Sequence, residues 1–187
     1  MAFTSFRFIV FLVLAAAAYF LTPKRCRWVT LFVANYVFYF ISGGRIFIYL
    51  LATTVTTYLA TVKIGDMAAK NKIAFNEAKA ELDKEGKKAW KAAFAKKKKR
   101  ILIPTLLFNF GILAVLKYSG FVTENLNLLF AKIGIGTELP VFRFLLPLGI
   151  SFYTFQSMGY LIDVYREKQE PERNFCKLAL FISFFPQ

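Results

Sequence analysis

The 187-residue chain contains no histidine and only two cysteines. Histidine is the side chain that most readily serves as a general base near neutral pH, so the chain lacks the usual residue for that role. Ser151 lies in the segment 149–153, which has no second glycine to complete a Gly-x-Ser-x-Gly nucleophile elbow. We therefore discard a serine hydrolase. No cysteine or histidine cluster has metal-ligand spacing, and no glycine-rich loop follows a strand, so we expect neither a metal site nor a nucleotide cradle.

Acidic residues are also scarce, with 11 against 25 basic residues. Thirteen basic and five acidic residues fall between positions 63 and 100, in one segment between apolar runs. Such a segment is expected on the cytoplasmic side, close to anionic headgroups of membrane lipids, and not on nucleic acid. Cys26 and Cys176 are too few for a disulfide framework, and we interpret them as free thiols.

Long apolar runs dominate the rest of the sequence, which is 57% hydrophobic and 18% aromatic. This composition is typical of a polytopic membrane protein. The predicted fold class is all-α, a transmembrane helical protein with five complete spans and the start of a sixth. The runs cover residues 3–21, 28–42, 46–62, 101–116, 144–162 and 175–185.

The connections between these runs carry the topology signal. Basic residues are plentiful at 22–27 and 63–100 and sparse at 43–45, an alternation that places the N-terminus outside. We expect 63–100 to form a basic amphipathic helix on the inner leaflet, interrupted at Gly65 and Gly86, with a solvated charged helix or a flexible loop as the alternative. Residues 119–140 should form an outer loop with a short interfacial helix.

The chain is organised around the stretch 139–166, whose core, 144–162, is 19 residues without a formal charge. It nevertheless carries polar side chains in mid-membrane. At helical spacings of four and three, one stripe contains Gly149, Tyr153, Gln156, Tyr160 and Asp163. Intramembrane polar groups avoid lipid, so this stripe is either a small-and-polar packing seam between helices or the wall of a substrate-binding cavity.

These residues resemble the signature of a known family. Pro147-Leu-Gly149-Ile-Ser151-Phe152, then Phe155-Gln156, Tyr160 and Asp163-Val-Tyr165-Arg166, are similar to the motif of the bacterial membrane-bound O-acyltransferases. The branch in question holds the alginate O-acetyltransferases and the D-alanyl transferases of teichoic acid. The opening Met1-Ala-Phe3-Thr-Ser5 and the closing Phe184-Phe185-Pro186-Gln187 also resemble this branch. The family-motif or substrate-tunnel candidates are Pro147, Gly149, Ser151, Tyr153, Gln156, Tyr160, Asp163 and Tyr165.

The resemblance implies a reaction and a gap in the chain. Members of the family use an intramembrane histidine, well downstream of the Phe-Phe-Pro-Gln motif, to let an acceptor hydroxyl attack an acyl thioester. Residues 1–187 would then be the N-terminal part of one O-acyltransferase domain, inactive alone, and no catalytic residue can be assigned in them. No bound cofactor is implied, because the donor, acetyl-CoA or a carrier-bound acyl group, is a substrate.

The implied partners are membrane lipids, the cytoplasmic acyl donor or its carrier protein, and an extracytoplasmic acceptor or partner acyltransferase. The acyl group is expected to be acetyl. Its acceptor would be a hydroxyl of an exported polysaccharide, a cell-wall polymer or a relay protein, and the location would be the bacterial plasma membrane. No nucleic acid is expected.

Two other classes of protein stay open at this stage. In a transporter or channel fragment the polar helix would line a permeation path, although the inverted repeats that favour such a fold are not visible. A non-catalytic membrane scaffold would also accommodate the missing histidine. Asp163, three residues before Arg166, would form a helix-end ion pair, or else contact the donor's polar head or a residue beyond this segment.

Overall fold

The computed structural model describes residues 6–43, 47–79, 83–134, 139–140 and 149–184, apart from the side chains of Arg7 and Ser42. Regular secondary structure in these ranges is entirely α-helical, with no strand, as the predicted all-α class requires. The six helices are α1 Phe6–Leu21, α2 Arg27–Gly43, α3 Phe47–Ala78, α4 Lys84–Ile133, α5 Ile150–Tyr165 and α6 Phe175–Ser183.

Helices α3 and α4 are the two described helices long and apolar enough to cross a membrane. Residues Phe8–Leu21 and Arg27–Ile41 form shorter apolar helices. These lengths fit the sequence prediction of a helical membrane protein.

The basic segment 63–100 departs from the prediction of a separate helix on the membrane surface. Helix α3 continues through Gly65 without interruption, and Gly86 lies in the first turn of α4. The prediction that both glycines break the helix was therefore wrong. A glycine inside a helix costs only about 1 kcal/mol relative to alanine, which the surrounding helix can absorb. The two halves of the basic segment are extensions of α3 and α4.

Helices α3 and α4 run antiparallel and are joined by polar contacts at two levels. In the apolar half, Asn109 Nδ2 donates to Thr56 Oγ1 at 3.1 Å. In the basic half, Trp90 Nε1 donates to Asn71 Oδ1 at 2.9 Å. Asn109 is thus the helix-to-helix contact that its position in an apolar run suggests.

The far end of α4 also differs from the sequence prediction. The helix continues past Lys117 and Gly120 to Ile133, so the expected outer loop with a short interfacial helix is wrong for 119–133. No proline occurs in this stretch, and Gly120 remains within the helix. The helix ends instead at Gly134, whose φ of 80° is the left-handed conformation that glycine adopts at low cost.

Helix α3 lies at the centre of the bundle and contacts α2, α4, α5 and α6. Helix α5 packs against α3, α4 and α6, whereas α1 contacts only α2 among the described elements. The buried apolar core draws mainly on α3, α4, α5 and α6. The stretch that the sequence marks as central is therefore a central helix of the fold.

Candidate functional site: the polar face of the central helix

Helix α5 begins after Gly149, which has a φ of 72°. A side chain in this conformation would be strained, and the position where its Cβ would lie is 3.7 Å from the hydroxyl of Tyr39 on α2. The first residues of the predicted span, 144–148, include Pro147 and lie outside the described residues. The described helix continues three residues beyond the predicted end, to Tyr165.

The buried face of α5 packs against a threonine stripe on α3. Thr154 and Ser157 of α5 are at most 2% exposed. Their counterparts on α3 are equally buried, namely Thr53, Thr54, Thr57 and Thr61. Several of these hydroxyls donate to carbonyls of their own helix: Thr54 to Leu50, Thr61 to Thr57 and Ser157 to Thr154, at 2.8–2.9 Å. The Thr57 hydroxyl is buried without a hydrogen-bond partner among the described residues. Small side chains of this kind let two helices approach closely inside a membrane.

The predicted polar stripe faces α6 and the connection that leads to it. The amide N–H of Glu172 donates to Tyr160 Oη at 2.7 Å, and the Tyr160 ring lies 5.9 Å from that of Phe181. Gln156 Nε2 donates to the Phe181 carbonyl at 2.9 Å. These contacts make Tyr160 and one end of Gln156 part of a packing seam.

Two atoms of the same stripe are buried without a hydrogen-bond partner. They are Tyr153 Oη and Gln156 Oε1. Tyr153 is 2% exposed. A buried polar atom left without a partner costs about 1–3 kcal/mol. The seam is therefore complete at Tyr160, near the C-terminal end of α5, and incomplete one to two turns earlier.

The other motif candidates make fewer contacts. Ser151 lines an apolar groove of about 480 Å³ together with Gln156 and with Phe152 and Phe155, which are 59% and 60% exposed. Asp163 is half-buried, and its carboxylate forms no ion pair with any described residue. The expected pair with Arg166 is therefore wrong. The carbonyl of Asp163 instead accepts from the Lys168 amide at 3.0 Å, which helps to end α5.

The last motif residue, Tyr165, belongs to a cluster around a buried lysine of α4. Lys98 is 7% exposed and donates to the Tyr165 carbonyl at 2.9 Å and to Glu167 Oε1 at 2.5 Å. Its ammonium also lies 4.9 Å from the centre of the Phe94 ring and 5.2 Å from that of Tyr165. Glu167 has a φ of 59°, an uncommon conformation for a residue other than glycine. The ion pair holds a strained residue at the end of α5.

The connection between α5 and α6 is fastened to α3 at three further points. Tyr58 Oη donates to the Arg173 carbonyl at 2.8 Å, and Arg173 Nη2 pairs with Asp66 Oδ1 at 2.7 Å. Pro171 lies so close to Gly65 that a Cβ there would be 2.2 Å from the proline ring. Between α3 and this connection lies a cavity of about 420 Å³ with charged residues at its rim. Helix α5 therefore ends at a fixed position relative to α3.

The described residues contain no group of three or more acidic or cysteine side chains placed to hold a metal ion. The polar face of α5 can position a ligand or a neighbouring helix through the Tyr153 hydroxyl and the Gln156 carbonyl. Sequence reasoning missed the α3 threonines and Lys98. The clustered Thr53-Thr54-Val-Thr56-Thr57 run in an apolar helix was a usable signal for the first, whereas nothing distinguishes Lys98 within its run of lysines.

The described fold defines a helical membrane protein in which a polar helix is buried at the centre and apolar helices surround it. Comparison with known proteins narrows this class. The chain is 32% identical over 189 residues to the probable alginate O-acetylase AlgI of Azotobacter vinelandii, which covers 100% of this chain and 32% of that protein. The Pseudomonas aeruginosa protein of the same name is 31% identical and also matches the whole chain. These matches, together with the motif, show that the chain belongs to the membrane-bound O-acyltransferase family.

A third relative comes from a different polymer system. The peptidoglycan O-acetyltransferase of Helicobacter pylori is 32% identical over 110 residues, covering 46% of this chain and 20% of that protein. No family model and no solved structure matches the chain. The chain spans about a third of the length of the alginate O-acetylases that it matches.

Proposed function

We propose that this chain is the N-terminal part of an enzyme that transfers an acetyl group to hydroxyls of an exported polysaccharide. The observation that carries the proposal is the match of the whole chain to proteins named alginate O-acetylase. The peptidoglycan O-acetyltransferase match widens the acceptor class to cell-wall polymers and, by the same chemistry, to a relay protein.

The proposed topology has five complete spans and the start of a sixth in the plasma membrane of a bacterium, with the N-terminus outside. The charge alternation between connections supports this orientation, which places the basic ends of α3 and α4 in the cytoplasm. Lys98 and the end of α5 then also face the cytoplasm.

The proposed donor is a cytosolic acyl thioester, either acetyl-CoA or a carrier-bound acyl group. The acceptor or a partner acyltransferase would act on the other side of the membrane. Attack of a hydroxyl on a thioester is assisted by a general base, and histidine, the commonest residue in that role, is absent from these 187 residues. We therefore propose that a catalytic half containing an intramembrane histidine lies beyond this segment.

In this enzyme, the polar face of α5 would form one wall of the acyl tunnel. Support comes from two atoms of the stripe that are buried without a hydrogen-bond partner among the described residues, Tyr153 Oη and Gln156 Oε1. A substrate, a water molecule or a helix of the catalytic half could supply the missing donor to Gln156 Oε1. If these two atoms contact substrate, the polar face of α5 is a tunnel wall; if they contact only other helices, it is a packing seam.

The first experiment is to sequence the source DNA beyond the codon for Gln187. An open reading frame with further apolar spans and an intramembrane histidine is the expected result. A stop codon directly after Gln187 would contradict the proposed catalytic half and favour a scaffold or one member of a split protein.

The second experiment measures transfer itself. The whole coding region is expressed in a strain deleted for its own alginate O-acetylase, and ester-linked acetate released from the polymer by alkali is quantified. Restored O-acetylation is expected. Gln156→Ala should reduce it at least about tenfold, the rate loss for about 1.4 kcal/mol of transition-state stabilisation, at normal membrane levels of the protein. The matched control is Gly159→Ala on the same helix, where nothing lies within 4 Å of the new methyl group, and equal turnover of both variants would contradict the tunnel-wall role.

A further inference from the structure

The basic ends of α3 and α4 extend well past the apolar part of the bundle. We define the basic arm as residues 63–78 of α3 and 84–100 of α4. Both are continuous with the apolar parts of their helices. At 1.5 Å per residue the arm is about 24–26 Å long. A helix that lies on the inner leaflet would have to bend sharply at the membrane surface, and neither helix is interrupted there.

Side-chain contacts join α3 and α4 both within the arm and in the apolar part beyond its base. The Thr56–Asn109 and Asn71–Trp90 hydrogen bonds are 15 residues apart on α3, or about 22 Å. The Phe75 and Trp90 rings lie 6.2 Å apart. At the base of the arm, the buried Lys98 joins α4 to the end of α5. The arm is therefore braced at both levels and projects as a paired unit.

Four lysines form a stripe along one face of the arm. The distal stripe consists of Lys84, Lys87, Lys88 and Lys91, spaced at three, one and three residues on α4. All are exposed except Lys87, which is partly buried. Lysines three or four residues apart on a helix repel one another, so the stripe weakens the isolated helix. Of these four lysines, only Lys91 has a described contact that offsets part of the repulsion. Its ammonium lies 6.0 Å from the centre of the Phe75 ring.

Distance from the membrane decides between lipid and protein as the partner of this stripe. Lys91 and Lys84 precede Ile101, where the apolar part of α4 begins, by about 15 and 26 Å of helix. The attraction of lysines to anionic headgroups falls off within a Debye length, about 8 Å at physiological ionic strength. Measured along the helix from Ile101, the proximal cluster Lys96–Arg100 lies within that range, whereas the distal stripe lies beyond it.

We propose that the distal stripe is a docking surface for a soluble protein that presents a row of carboxylates. The proposal uses from the proposed function only that α3 and α4 cross a membrane, with the arm on the cytoplasmic side. Carboxylates at helical spacing would match the four ammonium groups and relieve their repulsion. Two acidic residues, Asp83 and Glu85, lie on either side of Lys84. Asp83 Oδ1 caps α4 by accepting from the Gly86 amide at 2.6 Å. The lysines, rather than these acids, are therefore left to contact a partner.

The test begins with a photo-crosslinking amino acid at the exposed position of Ala92, in the whole protein in living cells. The adduct is identified by mass spectrometry, and the captured protein is then purified and titrated against the whole protein in phosphatidylcholine nanodiscs. Changing all four lysines of the distal stripe to glutamate should lower the affinity at least about tenfold, because four ion pairs with the partner are lost. The control changes the same lysines to arginine, which keeps the charge, and should bind like the parent.

Several outcomes would overturn the proposal. Adducts with phospholipid alone would mean that the arm lies on the membrane, and adducts with a second copy of this chain would mean self-association. No adduct, or an affinity that is the same in the glutamate variant, would also exclude an acidic partner. The alkali-released acetate assay is scored separately. Charge-dependent docking without any O-acetylation would support the docking surface and contradict the proposed enzymatic function.

Discussion

Helices α1 and α5 have the same length, 16 residues, and opposite positions in the fold. None of the described side chains of α1 is buried, although nearly all of them are apolar. Helix α5 carries serine, threonine, tyrosine and glutamine, and eight of its residues are buried. In water the more apolar helix would occupy the core. In lipid, apolar side chains gain little by leaving their surroundings, so polarity and small size decide which helix is central.

The difference between α1 and α5 can be tested by truncating the same type of side chain in each helix. Leu161 of α5 is fully buried, whereas Leu14 of α1 is 64% exposed. In the protein expressed from its whole coding region, Leu161→Ala should lower the free energy of unfolding by about 2–5 kcal/mol, because it leaves a cavity. Leu14→Ala should change it by less than about 0.5 kcal/mol. Unfolding in mixed micelles measures both, and equal losses would show that α5 is not the central helix.

A second pair of variants examines how closely α3 approaches the α5–α6 connection. Gly65→Ala places a Cβ against Pro171 and should destabilise the protein by about 1–3 kcal/mol, the usual cost of overpacking. Gly159→Ala is the control, since nothing lies within 4 Å of its new methyl group. That variant should be neutral or slightly stabilising, because alanine favours the helix. If thermal melting curves of the two variants coincide, the contact at Gly65 is looser than described.

A third pair of variants tests the buried lysine at the C-terminal end of α5. Lys98→Met keeps the length of the side chain and removes the bonds to Tyr165 and Glu167. We expect a loss of about 1–2 kcal/mol, at the lower end for charged hydrogen bonds because the Glu167 side chain is 58% exposed. Lys99→Met changes an exposed neighbour and should have no measurable effect. If the Lys98→Met variant is as stable as the Lys99→Met variant, Lys98 does not stabilise the contact between α4 and the end of α5.

The smallest expected effect separates the two buried tyrosines of α5. Tyr160→Phe removes the acceptor of the Glu172 amide and should cost about 1 kcal/mol. Tyr153→Phe removes a hydroxyl that has no partner among the described residues and should be neutral or stabilising. In the acetate-release assay the order should reverse, with Tyr153→Phe losing activity, if that hydroxyl serves the tunnel. Unfolding and turnover measured on the same samples give the answer.

Sequence patterns were reliable where one physical cause dominates. Apolar runs predicted helices at α1, α2 and α6 within a few residues, because no other regular structure formed by one segment satisfies its backbone in lipid. The polar stripe of α5 was predicted to face protein, and Tyr153 and Tyr160 are buried there. The spacing could not show which residues of the stripe are hydrogen-bonded to other parts of the chain, since this depends on where Phe181 and Glu172 lie.

Helix ends were predicted poorly where charge was taken as a boundary. Lys63 and Lys117 each follow an apolar run, and in each case the helix continues well past them. A charge marks the edge of the apolar layer, but a helix ends only where its backbone bonds are interrupted or capped. Gly134 does this for α4 because it adopts a left-handed conformation, whereas Gly65 stays helical and receives Pro171.

The amino-acid sequence by itself determined that this protein is helical, apolar and built around one polar segment, and its motif identified the family. These properties follow from composition and from short-range periodicity, which every folded state of the chain must satisfy. Only the tertiary structure decided that the basic segment extends α3 and α4 as a paired arm, that Lys98 alone among its neighbours is buried, and that Asp163 lacks its expected ion pair. Those outcomes depend on contacts between residues as many as 69 positions apart, which no local pattern contains.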